Sequence, residues 1–524
     1  MFKKIIVSDQ KMLGHPISAW KRDIVIVIVL QFALGLIYLK AVPRLYGDDV
    51  WDSSLGYSLA HCGKLRHQFI EGFGGMHIHF VQPRLVLPLV CAAIFKVCGY
   101  SIVSARFGSV IFGVLTIVSL YAVTRRWFGE KQAFCIVVAT ILHPWFFEIS
   151  RRTRPEIYCI ALVMAALLCI TYSLDSNSRR TGLFAGAFAG MAGLAHPLGI
   201  TLDIAVVAAV LIWLRNIKIW RLVLWAFLGF VVVILPYIVY VLWSIQDPGV
   251  HFFEQMHSGW GQGEGGMFMS VEISRWKNFL QWPKGIPLAI IMIASWLLAW
   301  YRSTTADKIL ATIIGFFCLM LPFVSTNYCG RYLSVLIPFF CALMVRLSWR
   351  IITDHGLPLH NWYKFRFFFS MSIVVTYVLM SIMAISIMFY YLRGADFTKV
   401  LDRIASVVDR KDRIYGEAIL WMGHDRYHYG PFPIDSSAFP FQQTVDMVRK
   451  YHFDYAVRSA WIFDSSYGVA LPPADMPDFR PYYTIDQVCK QFGTKVYEFR
   501  DPYFGPFEIY KLNWDNDSNA ESKK

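Results

Sequence analysis

Repeated uncharged, apolar runs of about 20 residues constrain this chain more than any other feature, because a run of that length crosses a hydrocarbon layer as a helix. They fall at roughly 23–42, 103–124, 131–148, 156–174, 181–195, 198–214, 220–243, 284–301, 307–325, 332–349 and 367–391. A further run, 84–98, is shorter and carries Lys96. Of the 524 residues, 56% are hydrophobic and 16% charged. A soluble domain carries about 25% charge, and water-soluble packing cannot hide this much apolar side chain. The expected solvent is lipid. The 18 Trp and 27 Tyr suit rings at bilayer interfaces.

The net charge of +14 does not point to nucleic acid, since the cations are scattered between apolar runs rather than gathered on one domain. Most of the ten cysteines (among them Cys91, Cys135, Cys159, Cys169, Cys318 and Cys341) lie in apolar runs, where they act as small hydrophobes. No C-x-x-C pair suggests a redox or metal motif. A disulfide among Cys62, Cys329 and Cys489 is left open. The basic segment before the first run has no small-residue cleavage site and is expected to be a retained anchor.

Basic clusters set the expected topology, because Lys and Arg collect on the cytoplasmic side. Lys3, Lys4, Lys11, Lys21 and Arg22 precede the first run; Arg125, Arg126, Arg179, Arg180, Arg215, Arg221, Arg302 and Arg350 fall in later connections. All lie inside only if 84–98 does not cross, so it is expected to lie along the surface or re-enter. That leaves about eleven spans, a cytoplasmic N-terminus and long outer loops at 43–102 and 244–283. From about 395 onward short alternating segments and amphipathic stretches replace the apolar runs. The expected domains are a membrane-embedded helical unit over 1–392, a small extracytoplasmic α/β domain over 393–514, and a disordered tail over 515–524.

Candidate chemistry gathers at the outer face. Tyr46-Gly47-Asp48-Asp49-Val50-Trp51-Asp52 follows the first run and holds three acids within five positions. Neighbouring carboxylates repel and need a cation, a metal or open water. The cluster reads either as a general base held by a juxtamembrane helix (about 49–62) or as an acidic helix start. Arginines that break the charge trend are more informative. Arg84, Arg106, Arg151, Arg152, Arg154 and Arg331 all fall on the outer side. An anionic ligand such as a lipid phosphate would explain them, as would pairing with Asp48, Asp49 and Glu156. His79 and the Ala195-His196-Pro197 turn also lie there, His196 being either a site group or a helix-end residue. His251, Glu254 and His257 share a helix-face spacing that could hold a metal, though it matches no metal signature. The Gly259–Gly266 stretch carries no phosphate-loop pattern and is expected to be a mobile loop.

Taken in order, these segments resemble a family. Asp48-Asp49 looks like the Asp-Glu pair in the first outer loop of polyprenyl-phosphate-sugar glycosyltransferases of the GT-C architecture, which include protein O-mannosyltransferases and lipid A aminoarabinose transferases. His79-Phe80-Val81-Gln82-Pro83-Arg84-Leu85 is similar to their His-Pro-Pro-Leu element. Gly99-Tyr100-Ser101 with Ala105-Arg106-Phe107 resembles their Gly-x-Ser…Arg segment, and Arg125-Arg126-Trp127-Phe128-Gly129 their cytoplasmic basic turn. Arg154-Pro155-Glu156 looks like Arg-Pro-Asp, Gly193-Leu194-Ala195-His196-Pro197 stands where Gly-Leu-x-x-Lys-Pro is usual, and Arg331-Tyr332-Leu333 with Ile337-Pro338 resembles Arg-Tyr-Leu…Pro. The departures (Asp for Glu, His for Lys, Glu for Asp) bear on the donor sugar more than on the reaction.

The resemblance implies a GT-C helical membrane fold. It also implies an inverting transfer from a polyprenyl-phosphate sugar to a glycan, lipid or protein acceptor outside the membrane, here taken to be a bacterial inner membrane. Asp48 would be the general base, with Asp49 in support and Asp52 structural. Arg106, Arg151, Arg154, His196 and Arg331 would bind the donor phosphate, and His79, Glu156 and Tyr332 the substrates. No cofactor is required, although a divalent metal is compatible. Membrane lipids are the other expected partners. The competing readings are a transporter or flippase, which would place ionisable groups near mid-membrane, and a non-catalytic scaffold.

Overall fold

The computed structural model describes residues 18–45, 47–68, 74–176, 178–214, 217–260, 268–280, 285–299, 303–324, 330–353, 363–426, 428–429, 448–459 and 480–514. It is mostly helical. Among these residues seven helical stretches are long and apolar enough to cross a membrane, so the chain is an integral membrane protein.

The first helix, α1 (Ser18–Leu36), packs along α4 (Ile102–Phe128). Between them lie α2 (Gly47–Cys62) and α3 (Val86–Cys98), packed on each other. The run expected not to cross is α3. Its 13 residues extend only about 20 Å, against about 30 Å of hydrocarbon. Helices α5 (Glu130–Leu142) and α6 (Pro144–Ile149) lead into α7 (Pro155–Ser176), α8 (Arg179–Ala195), α9 (Pro197–Leu214) and α10 (Ile217–Ser244). Proline opens α6, α7 and α9, where its missing N–H has no intrahelical role and its fixed φ suits the first turn. The bundle continues through α11 (Phe252–Trp260), α12 (Phe268–Phe279), α13 (Ile286–Ala299), α14 (Thr305–Val324), a 3-10 segment (Gly330–Leu336), α15 (Ile337–Thr353) and α16 (Tyr363–Leu392). The stretch Gly261–Met267, most of the expected mobile loop, lies outside the described residues.

Lipid gives helices no hydrophobic reason to associate, so close backbone approach matters. Helices α8 and α10 meet through glycine. A Cβ on Gly186 would sit 1.6 Å from the Ala226 carbonyl oxygen, and one on Gly229 would sit 2.0 Å from that of Leu183.

After α16 come α17 (Phe397–Ala405) and a five-stranded mixed sheet of order β2-β1-β3-β5-β4. Strand β1 (Arg413–Gly416) runs parallel to β2 (His428–Tyr429) and β3 (Tyr455–Ser459). Strands β4 (Gly493–Asp501) and β5 (Gly505–Leu512) form an antiparallel hairpin whose β5 edge pairs with β3. Helix α18 (Arg480–Phe492) precedes the hairpin. Strand β1 ends at Gly416, and a 3-10 turn (Ala418–Gly423) follows it. The segment 442–447 and the tail 515–524 lie outside the described residues. Cys62 and Cys489 are free thiols, so no disulfide joins them, and Cys329 is not described.

This C-terminal region shares a core with the first loop. Val42, Leu45, Val50, Leu55 and Phe80 belong to one buried cluster with Phe397, Val400, Ile414, Trp421 and Ile509. Lys40 Nζ donates to Asp396 Oδ2 at 2.8 Å, and the Arg44 guanidinium lies over the Phe504 ring at 5.2 Å. At the same seam Glu417 is buried, and that burial pushes its carboxyl up to about 8, against the hydrogen bond of Ser459 and the charge of Arg44.

Two outcomes follow. Gly186→Val should force α8 from α10 at a cost of about 1–3 kcal/mol or more, visible as a lower melting temperature. Gly315→Ala, which would meet only Trp296 at 3.6 Å, should have little effect. Glu417 keeps its proton when folded but releases it near pH 4.3 when unfolded. Stability should therefore be unpenalised below about pH 4 and fall as pH rises toward about 8, above which both states are ionised and the loss is complete. Glu417→Gln should flatten that slope in melting scans from pH 5 to 9.

Candidate active site

The end of the bundle where α1 stops and α2 begins carries the unusual charges. Asp49, in the first turn of α2, is only 1% exposed. Its Oδ2 accepts from Arg106 Nη2 at 3.2 Å and lies 3.8 Å from Arg152 Nη1, while its Oδ1 accepts the Thr153 amide at 2.9 Å. Arg152 also pairs with Glu148 at 2.9 Å, one helical turn back. A buried carboxylate is tolerable only with such partners. Asp48 precedes it in the same helical turn, and its side chain lies outside the described residues. Asp52 is buried about five-sixths of a turn further along.

Arg106 and Arg151 are spent largely on backbone. Arg106 Nη1 donates to the carbonyls of Leu39 at 3.0 Å and Pro43 at 2.8 Å. Arg151 donates to the carbonyls of Val42 at 3.1 Å, Leu34 at 2.5 Å and Ile37, with its plane over Phe147. These carbonyls belong to the end of α1 and the loop after it, which have no further helical turn to satisfy them. Both side chains are fully buried, so in this arrangement they frame the loop rather than face a ligand.

Arg154, by contrast, makes a forked pair with Glu156, with Nη2 to Oε1 at 2.6 Å and Nε to Oε2 at 3.1 Å. Arg331, half-buried at the start of the 3-10 segment, acts electrostatically on both Glu156 and Arg152. Beside it, Tyr332 lies with its ring centroid 5.7 Å from that of His196. Burial, and then the charges of Arg84 and Arg154, hold the His196 ring well below its ordinary pKa. Its Nδ1 accepts the Leu198 amide at 3.2 Å, which leaves Nε2 as the N–H donor of a neutral ring. His196 can therefore offer a hydrogen bond to an anion but not a charge.

His79 stands apart from this cluster. Its ring packs edge-on to Trp243, and its carbonyl accepts from Gln255 Nε2 at 2.8 Å. Gln255, fully buried, also takes the Val81 amide at 2.9 Å and donates to the Gly74 carbonyl at 2.7 Å, while Tyr237 and Tyr240 hold the carbonyls of Val81 and Phe80. Helix α11 thus latches the connection between α2 and α3. Sequence reasoning missed Glu148, Thr153 and Gln255. Only Glu148 left a signal, its four-residue spacing to Arg152. Among the described residues no three His, Cys, Asp or Glu come together to hold a metal; the side chain of His257 is not described.

The Asp49–Arg106 pair should be strongly coupled. Arg106→Met or Asp49→Asn alone should each cost about 3–5 kcal/mol by leaving the other group buried without its partner. The double variant should lose clearly less than the sum, read from melting temperatures in a double-mutant cycle. Additive losses would remove the pair from its structural role.

Comparison with known proteins bears on the fold that carries this site. A family model described as dolichyl-phosphate-mannose-protein mannosyltransferase matches residues 82–243. No curated protein sequence matches the chain. Among solved structures, ArnT from Cupriavidus metallidurans in the apo state superposes with a TM-score of 0.61 at 14% identity, covering 94% of this chain and 98% of that one. The same protein bound to undecaprenyl phosphate gives 0.59 at 13% identity over the same coverage. The Archaeoglobus fulgidus oligosaccharyltransferase tethered to an acceptor peptide gives 0.58 at 14% identity, covering 95% of this chain and 74% of that one. Over 94–95% of its length this chain thus has the GT-C fold of these structures.

Proposed function

We propose that this chain transfers a sugar from a polyprenyl-phosphate donor to a hydroxyl or amine acceptor at the extracytoplasmic face of a bacterial plasma membrane. The observation that carries this reading is the anchoring of Asp49 by Arg106 and by the Thr153 amide. It pins the first turn of α2, and with it Asp48, against the arginine-bearing turn 151–154. A GT-C fold with a fixed acid beside fixed cations suits attack on a phosphate-linked anomeric carbon.

Asp48 takes the acceptor proton as the acceptor oxygen or nitrogen bonds to the anomeric carbon. The bond from that carbon to the phosphate oxygen breaks on the opposite face, and its electron pair leaves on the polyprenyl phosphate, so the configuration inverts. An Asp of reference pKa about 3.9 is a weak base, and placement must supply much of its effect; positioned bases contribute roughly 10²–10⁴-fold. The phosphate gains charge as it leaves. Arg331 and Arg154, aided by the Nε2–H of His196 and by Tyr332, stabilise it there, where fixed dipoles and cations act most strongly. Arg106 and Arg151 act through the loop they hold, and Asp49 through the helix it anchors. Glu156 keeps the Arg154 fork in place. His79 borders the acceptor side. No step calls for a metal.

Asp48→Asn should abolish turnover of a labelled polyprenyl-phosphate sugar while expression and melting temperature stay normal. Asp49→Asn should lose stability instead. Arg331→Gln should weaken donor binding more than it slows saturated turnover. Near-normal transfer by the Asp48 variant would remove Asp48 as the base.

A further inference from the structure

Helix α7 starts at the arginine-rich turn and runs about 33 Å through its 22 residues to the opposite end of the bundle. There the connection from α7 to α8 and the first turns of α10 enclose a recess of about 360 Å³. Ser173, Ser178, Arg179, Arg221 and Trp225 line it. Arg179 lies over the Trp225 ring at 5.4 Å, which holds its planar group at the rim. Ser178 lines the recess at the N-cap of α8 and makes no side-chain cap bond, so the first amides of that helix, beside the recess, are not taken up by it. Asp175, the acid at the end of α7, is engaged by Arg126. The recess thus offers two guanidinium groups, hydroxyls and a helix N-terminus to one small volume.

A cytoplasmic excess of Lys and Arg explains the sign of this charge but not a concave, hydroxyl-lined site built from it. Nor does the recess stand alone. Its wall residue Leu174 is shared with an apolar furrow between α4, α7, α9 and α14, lined by Leu167, Val210, Leu214 and Ile309. A polar, cationic pocket joined by one side chain to an apolar furrow fits an amphiphile whose head is anionic.

We propose that this recess binds the phosphate-bearing headgroup of an anionic phospholipid from the leaflet opposite the candidate active site. Arg179 and Arg221 form the cationic wall, Ser178 and the first amides of α8 donate to the remaining phosphate oxygens, and one acyl chain follows the furrow past Leu174. The planar forks of two arginines suit a phosphate better than point charges would. The site does not depend on the glycosyl-transfer reading, and transfer activity is not its readout.

The test is native mass spectrometry of the full chain in mild detergent, titrated with phosphatidylglycerol or with phosphatidylcholine of the same acyl length. Phosphatidylglycerol should bind at about tenfold lower concentration or better. Arg179→Gln with Arg221→Gln should remove that advantage while the melting temperature without lipid is unchanged. Should the neutral variant fail to accumulate, Arg179→Lys with Arg221→Lys keeps the charge but loses the forks and should bind the lipid more weakly. Equal binding of the two lipids, or unchanged phosphatidylglycerol affinity in the variant tested, would overturn the site. Inorganic phosphate competing on equal terms with the lipid would overturn its assignment to a headgroup.

Discussion

Asp49 is the point on which the α2 end of the helical bundle depends. One carboxylate joins α4 through Arg106, the 151–154 turn through Thr153 and Arg152, and the first turn of α2, which is its own. A buried ion pair is seldom a net source of stability, because desolvation offsets most of the attraction. What it gives is uniqueness. With the pair formed, α2 can start in only one place, and the alternatives all leave a buried charge without a partner. Arg106 then passes the constraint on, since the same guanidinium holds the carbonyls of Leu39 and Pro43. Arg151 adds those of Leu34, Ile37 and Val42. The stretch from the end of α1 to the start of α2 is therefore fixed at both its backbone and its acid.

The membrane class and the GT-C architecture were legible in the sequence because both depend on features that add up along the chain. Apolar runs of span length repeat, and several short motifs fall in one order. Single-residue roles were less legible. Arg106, Arg151, Arg154 and Arg331 share the same anomaly in the sequence, a cation on the side expected to be poor in cations. From sequence they carry one meaning. In the fold they divide: two satisfy carbonyls at a helix end, one forks onto Glu156, and one stands half-buried beside Tyr332. A carbonyl belongs to every residue, so a partnership with backbone leaves no trace in side-chain identity. Gln255 is the extreme case. It binds three backbone groups of the first loop, at Gly74, His79 and Val81, from a segment whose nearby histidines and glycines drew attention to other chemistry.

His196 shows how a substitution shifts meaning rather than removing it. A lysine at that place would bring a charge; this ring, buried and next to Arg84 and Arg154, brings a neutral N–H. The difference follows from the desolvation of the turn between α8 and α9, which the sequence marks only as a His-Pro step.

The core shared by the first loop and the C-terminal sheet has a consequence for biosynthesis. Val50 and Leu55 belong to a helix whose C-terminal partner, the 3-10 turn Ala418–Gly423, is made roughly 360 to 370 residues later, about 20–75 s at ordinary rates of synthesis. For that interval the acidic helix has no lid over its apolar face. The α2 region and the C-terminal sheet region meet only after every helix between them has been made, so chains truncated or stalled before the sheet cannot assemble this shared core.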